Sequence, residues 1–181
     1  MNRVQSLPSF QRPPVIEVVH SVAFNPLSQL KAPHTGIFWA QIRDEFPNAQ
    51  HAPPVNLTPG DFGSAGLPMP RIWFVSESEN NLVQLQNNRF MYNWRIIRPD
   101  DEYPRFESVH AAFSKNFQRF QTFVADEEIG DLEIQGYELT YINHIDRLGK
   151  LNTLRNVGSL FPDLRWRNPS KRYLPVPSHL T

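Results

Sequence analysis

The sequence predicts an α+β domain of ferredoxin-like βαββαβ order: an antiparallel sheet with two helices on one face, followed by an irregular Pro-rich C-terminal tail. Three observations carry that expectation. Residues 15–24 alternate as a strand, an apolar stripe at helical spacing runs from Phe106 to Val124, and further strand-like runs flank the stripe on both sides.

Residues 1–12 read as a flexible lead, and Pro13-Pro14 fixes an extended entry to the domain. In residues 15–24 one face holds Ile16, Val18, His20, Val22 and Phe24, and Glu17 and Ser21 lie on the other. Asn25-Pro26 ends that strand. A helix begins around Pro33, with Trp39, Ile42 and Phe46 one turn apart and Phe38 widening the stripe, and Pro47 stops it. Residues 47–70, rich in Pro and containing Gly60, Gly63 and Gly66, read as a long surface loop.

A hairpin follows: Arg71 to Ser76, a turn at Glu79-Asn80-Asn81, and a return strand from Leu82. Along the return strand Val83 and Leu85 share one parity and Phe90, Tyr92 and Trp94 the other. That switch near Asn87-Asn88 predicts a bulge or burial on both faces. Pro104 opens the longest helix, with Phe106, Val109, Phe113, Phe117, Phe120 and Val124 on one stripe, and Gly130 ends it. Phe113, Phe117 and Phe120 are expected to be buried against Val18, Val22 and Leu139. Residues 137–145 give the last strand, which completes a domain over 13–146. The remainder, 147–181, reads as a short helix (Leu148, Leu151, Leu154) and an irregular tail, basic and aromatic from Arg165 to Tyr173.

Composition bounds the function. The chain has 181 residues, 18 Lys plus Arg and 18 Asp plus Glu, so no net charge draws it to nucleic acid or an anionic membrane. It has no cysteine, which excludes disulfides, thiolate metal sites and cysteine nucleophiles. No apolar run has the length of a signal peptide or a membrane span, so the expectation is a cytoplasmic protein without membrane contact. Nucleophile-elbow, phosphate-loop, zinc-protease and dinucleotide motifs are absent. The six histidines, at 20, 34, 51, 110, 144 and 179, include no i, i+4 pair, so neither metal nor cofactor is expected. His20 reads as a core histidine satisfied by a neighbour.

The candidate binding residues lie on two unusually polar strands. Arg89, Asn93, Trp94 and Arg95 occupy one, and Asn143 and His144 end the other. Buried amides and guanidinium groups need partners, so such strands belong to a hydrogen-bonded network or a binding face. In the network reading Arg89 and Arg95 pair with carboxylates such as Asp101 and Glu102. In the binding reading rings and arginines meet single-stranded RNA. His144, near Asp146, is a weak candidate for a general base against the plainer role of tying a strand end to a loop. Trp73, Tyr141 and Trp94 are the rings expected to remain exposed.

Several of these segments together resemble a bacterial family of patchy distribution and no assigned activity. They are Pro13 to Val19 with Ser21 to Phe24; Phe38-Trp39 with Asp44-Glu45-Phe46-Pro47; Arg71 to Phe74; Gln84-Leu85-Gln86; Arg89-Phe90; Asn93-Trp94-Arg95; Tyr103-Pro104-Arg105; and Thr140 to Ile145. Members of that family continue past a segment like Leu174 to Pro177 into a second α+β half, and His20 stands where they are usually apolar. The resemblance implies a first half whose second lobe comes from a protein partner or from another copy, within an accessory or defence-type system. The expected function is a non-enzymatic binding or assembly module; the alternative is an RNA-binding or RNA-processing protein using Arg89, Trp94, Arg95 and His144.

Overall fold

Alternating branched residues form β1 (Val15–Phe24), and the Phe38–Ile42 stripe forms α1 (Ala32–Ile42). The α1 start is closed by the Lys31 amide, which donates to His34 Nδ1 at 2.9 Å. Then come β2 (Asn48–Ala52), β3 (Arg71–Val75), β4 (Asn81–Gln86), β5 (Arg89–Arg95), α2 (Arg105–Asp126) and β6 (Ile134–Asn143). A computed structural model of the chain describes residues 10–55, 69–145 and Phe161. Two units divide the chain, Met1–Ile142 and Asn143–Thr181. The expected 148–154 helix and the Arg165 to Tyr173 tail lie outside the described residues, as do most of the N-terminal lead and the centre of the 47–70 stretch. Among the described residues no helix is long and apolar enough to cross a membrane.

The α+β class holds, but the βαββαβ order does not: among the described residues the sheet has six strands, in the order β2-β3-β4-β5-β1-β6. Two local facts account for the difference. First, β2 lies inside the stretch read as loop and pairs antiparallel with β3, Gln50 opposite Trp73. Its side chains are mostly exposed and show no apolar alternation, so it is a strand through its partner's backbone alone. Second, the run from Leu82 to Arg95 is two strands. Gln86 faces Arg89 across Asn87-Asn88, and Leu85 faces Phe90. Residues opposed across a two-residue turn differ in parity yet share a sheet face, so the parity switch marks a reversal rather than a bulge. The turn is anchored from outside: Asn88 O accepts from the Phe24 amide at 3.0 Å and Asn87 O from the Leu27 amide at 2.8 Å.

Both helices pack on the same face. The Phe38 ring of α1 meets Phe74 of β3, Phe90 of β5, and Phe120 and Phe123 of α2. Phe90 sits at the centre, stacked on Phe120 at 5.2 Å and touching Phe113 and Phe117. Such ring pairs add to the burial of large apolar areas. Glu45, just past α1, accepts from Lys115 Nζ at 3.0 Å and Arg119 Nη1 at 2.7 Å, which ties the end of α1 to α2. Burial raises the Glu45 pKa, yet the two cations outweigh it and hold the carboxyl below its ordinary value. After α2 the chain turns at Gly130, whose φ of +135° a side chain would strain.

One expected core member is elsewhere. Leu139 is exposed, and the α2 phenylalanines pack on Phe90, His20 and Phe24 instead. The physical reason is the order of strands: α2 covers β5 and β1, and β6 lies beyond them at the sheet edge.

Candidate functional site

The sheet face away from the helices carries the polar residues. Strand alternation puts Glu17, Ser21, Gln84, Arg89, Asn93 and Arg95 there, opposite the face holding Val18, Val22, Phe90 and Tyr92. A hydrogen-bonded row crosses four strands. Arg71 Nη1 donates to Gln84 Oε1 at 2.9 Å, Gln84 Nε2 to Asn93 Oδ1 at 2.7 Å, and Asn93 Nδ2 to Glu17 Oε1 at 2.6 Å. Gln84 and Asn93 are both buried. Each amide donates to one neighbour and accepts from the other, so the row is a structural tie across the sheet.

Beside it the Trp73 ring lies between two guanidinium groups, Arg71 at 5.5 Å and Arg95 at 5.7 Å from its centroid. Stacking of this kind holds a desolvated cation. Burial lowers the Arg71 pKa. Arg71 Nε and Trp73 Nε1 are buried with no hydrogen-bond acceptor among the described residues. Arg95 Nε donates to the Glu79 carbonyl at 3.0 Å, at a left-handed turn residue with φ 61°. Arg89 Nη1 reaches Ser21 Oγ at 3.1 Å and Glu138 Oε2 at 3.4 Å.

Of the residues singled out from sequence, the structure thus brings Arg89, Asn93 and Arg95 to one face. Trp94 is not with them: it is buried on the helix side against Tyr103, 5.4 Å between centroids. The ring that the RNA reading would stack on a base is therefore turned into the core. Asn143 and His144, the first residues of the second unit, are exposed, and Asp146 lies outside the described residues. Asp101 does not pair with Arg89 or Arg95; it accepts from Asn80 Nδ2 and the Ile97 and Arg98 amides, which hold its carboxyl below its ordinary range. Sequence reasoning missed Arg71, Gln84 and Glu17 as partners, because their convergence depends on strand order and not on any local pattern.

A cleft of about 290 Å³ opens between the β4–β5 sheet and the start of α2, lined by Asn80, Tyr92, Trp94, Asp101 and Val109 among others. Tyr92 donates to Asn81 Oδ1 at 2.9 Å, and burial, aided by the Glu45 charge, raises its pKa to about 12. Its hydroxyl thus stays protonated and serves structure. Among the described residues no three His, Asp or Glu side chains converge as a metal site.

His20 is buried among Phe113 (stacked, 5.0 Å), Phe106 (5.8 Å) and His110 (5.3 Å), and its Nε2 has no hydrogen-bond partner among the described residues. The core placement holds; the satisfying neighbour is not among the residues around it. Burial first, and His110 second, lower its pKa from 6.5. The folded state therefore binds a proton less readily than the unfolded chain, and stability rises with pH across the window below 6.5. Thermal midpoints should fall as pH drops from 7 towards 5, and His20→Phe should flatten that slope. An unchanged slope in the variant would remove His20 as its source.

The remaining surface feature is β6. It is the terminal strand of the sheet, and among the described residues no strand pairs with its outer edge. Tyr137 is 69% exposed, Leu139 44%, Tyr141 39% and Ile142 40%. Tyr141 touches Tyr103 on the helix side, whereas Glu138 reaches Arg89 on the other, so Tyr137, Leu139 and Tyr141 form one row facing the helix side. No family model, curated protein or solved structure matches this chain.

Proposed function

We propose that the protein is a non-enzymatic binding or assembly module that works through the β6 edge. The observation that carries this reading is the row of exposed apolar side chains on a ten-residue strand whose outer backbone edge has no described partner. Open, apolar edges template pairing with another chain, and soluble proteins blunt them unless they are used. The internally closed Arg71–Gln84–Asn93–Glu17 row supports the same reading, since its polar groups already bind one another. We further read β4-β5-β1-β6 with the two helices as a ferredoxin-like arrangement in which β2 and β3 are an inserted edge pair. That reading bears on architecture, since fold alone does not assign function.

The test is sedimentation of a fluorescently labelled chain in buffer and in an extract of the cells that make it. The wild type should travel in a species heavier than a single chain in at least one of these. Leu139→Lys, which places a charge in the exposed row without touching the core, should travel as a single chain in both and keep its melting temperature. A wild type that sediments as a single chain in both media overturns the proposal.

A further inference from the structure

The order of residues along β6 identifies what fits its edge. Tyr137-Glu138-Leu139-Thr140-Tyr141 places the same ring at equal distances on either side of Leu139. Antiparallel strands related by a two-fold axis oppose residues symmetrically about that axis. With the axis at Leu139, Tyr137 lies opposite Tyr141 of the second copy, Leu139 opposite its own counterpart, and Glu138 opposite Thr140. We propose, building on the β6-edge reading above, that a second copy of this chain pairs with the first through β6 in that register. The two sheets then join as one, with all helices on the same side.

Other registers are worse for stated reasons. A half-step of the axis opposes odd to even positions, so the apolar row of one copy meets the polar row of the other. Moving the axis to Glu138 sets two carboxylates directly opposite each other, which destabilises a pair. Moving it to Thr140 opposes Glu138 to Ile142 and Tyr137 to Asn143, and the ring pair is lost. The Leu139 axis alone combines ring with ring, Leu with Leu, and a carboxylate with a hydroxyl. The short-range chemistry on Glu138 already suits that last pairing, since Thr140 Oγ1 donates to Glu138 Oε1 at 3.1 Å within one copy.

The chain has no cysteine, so one introduced thiol reports one position. Opposed residues in an antiparallel pair have Cα atoms about 4.5–5.5 Å apart, within disulfide reach, whereas positions four residues out of step are roughly 13 Å apart. Under mild oxidation the full chain carrying Leu139→Cys should give a covalent dimer. Tyr137→Cys alone and Tyr141→Cys alone should stay single, and an equal mixture of those two should cross-link. If the Tyr137→Cys chain or the Tyr141→Cys chain by itself cross-links to the same extent as the Leu139→Cys chain, the register is overturned. A wild type that is a single chain in buffer overturns the second copy altogether. If it then sediments heavier only in extract, and Leu139→Lys abolishes that, the edge-binding reading stands while self-pairing falls.

Discussion

Phe90→Ala should cost about 3–5 kcal/mol of folding stability, read from urea midpoints with the slope held in common. Phe90 is fully buried and its ring meets Phe38, Phe113, Phe117 and Phe120, so it joins both helices to the sheet. No single neighbour can relax into the space without leaving another. Phe106→Ala is the internal control. It belongs to the same helical stripe in sequence but is 39% exposed, and its loss should stay below about 1.5 kcal/mol because most of its transfer energy was never gained. Equal costs at the two positions would mean that the core is not centred on Phe90.

Gln84→Leu should be the next most damaging change, at roughly 2–5 kcal/mol. It removes the acceptor of Arg71 Nη1 and the donor to Asn93 Oδ1. Each buried polar group left unpaired costs about 1–3 kcal/mol. Asn93→Leu likewise orphans Gln84 Nε2 and strips Glu17 of a donor. In the double variant the Gln84–Asn93 bond has no surviving half. Its cost should therefore fall short of the sum of the singles by about 1–3 kcal/mol, a coupling that a double-mutant cycle measures directly. Additive costs would show that the row is not a connected network.

How much of this was legible in the sequence depends on the range of the cause. Strand β1 and helix α2 follow from periodicity within one segment, and their bounds came out close to the expected ones. The Asn87-Asn88 reversal was visible as a parity change, but a bulge and a two-residue turn leave the same trace until the pairing of Gln86 with Arg89 is known. Asn48 to Ala52 carries no apolar alternation at all, since its pairing rests on backbone groups shared by every residue. Trp94 shares its parity with Phe90 and Tyr92, so the alternation that buries those rings buries it too; its neighbours Asn93 and Arg95 belong to the opposite face. The polar row could not be read, because Arg71, Gln84 and Asn93 meet only once the register of β3, β4 and β5 is set, and Glu17 joins them only after β1 is placed beside β5.

That placement of β1 has a consequence in time. The strand precedes the other described strands, yet Glu17 waits for Asn93, 76 residues later, before its side chain finds its partner. At about 5–20 residues per second, synthesis leaves that gap open for roughly 4–15 s. β6 arrives later still to close the other side. During that interval the branched run from Val15 to Phe24 has both edges free, while β3, β4 and β5 can pair locally as soon as they emerge. The newborn chain therefore passes through a stage in which a strand destined for the sheet interior has both edges open, and slower elongation through residues 25–95 would lengthen that exposure.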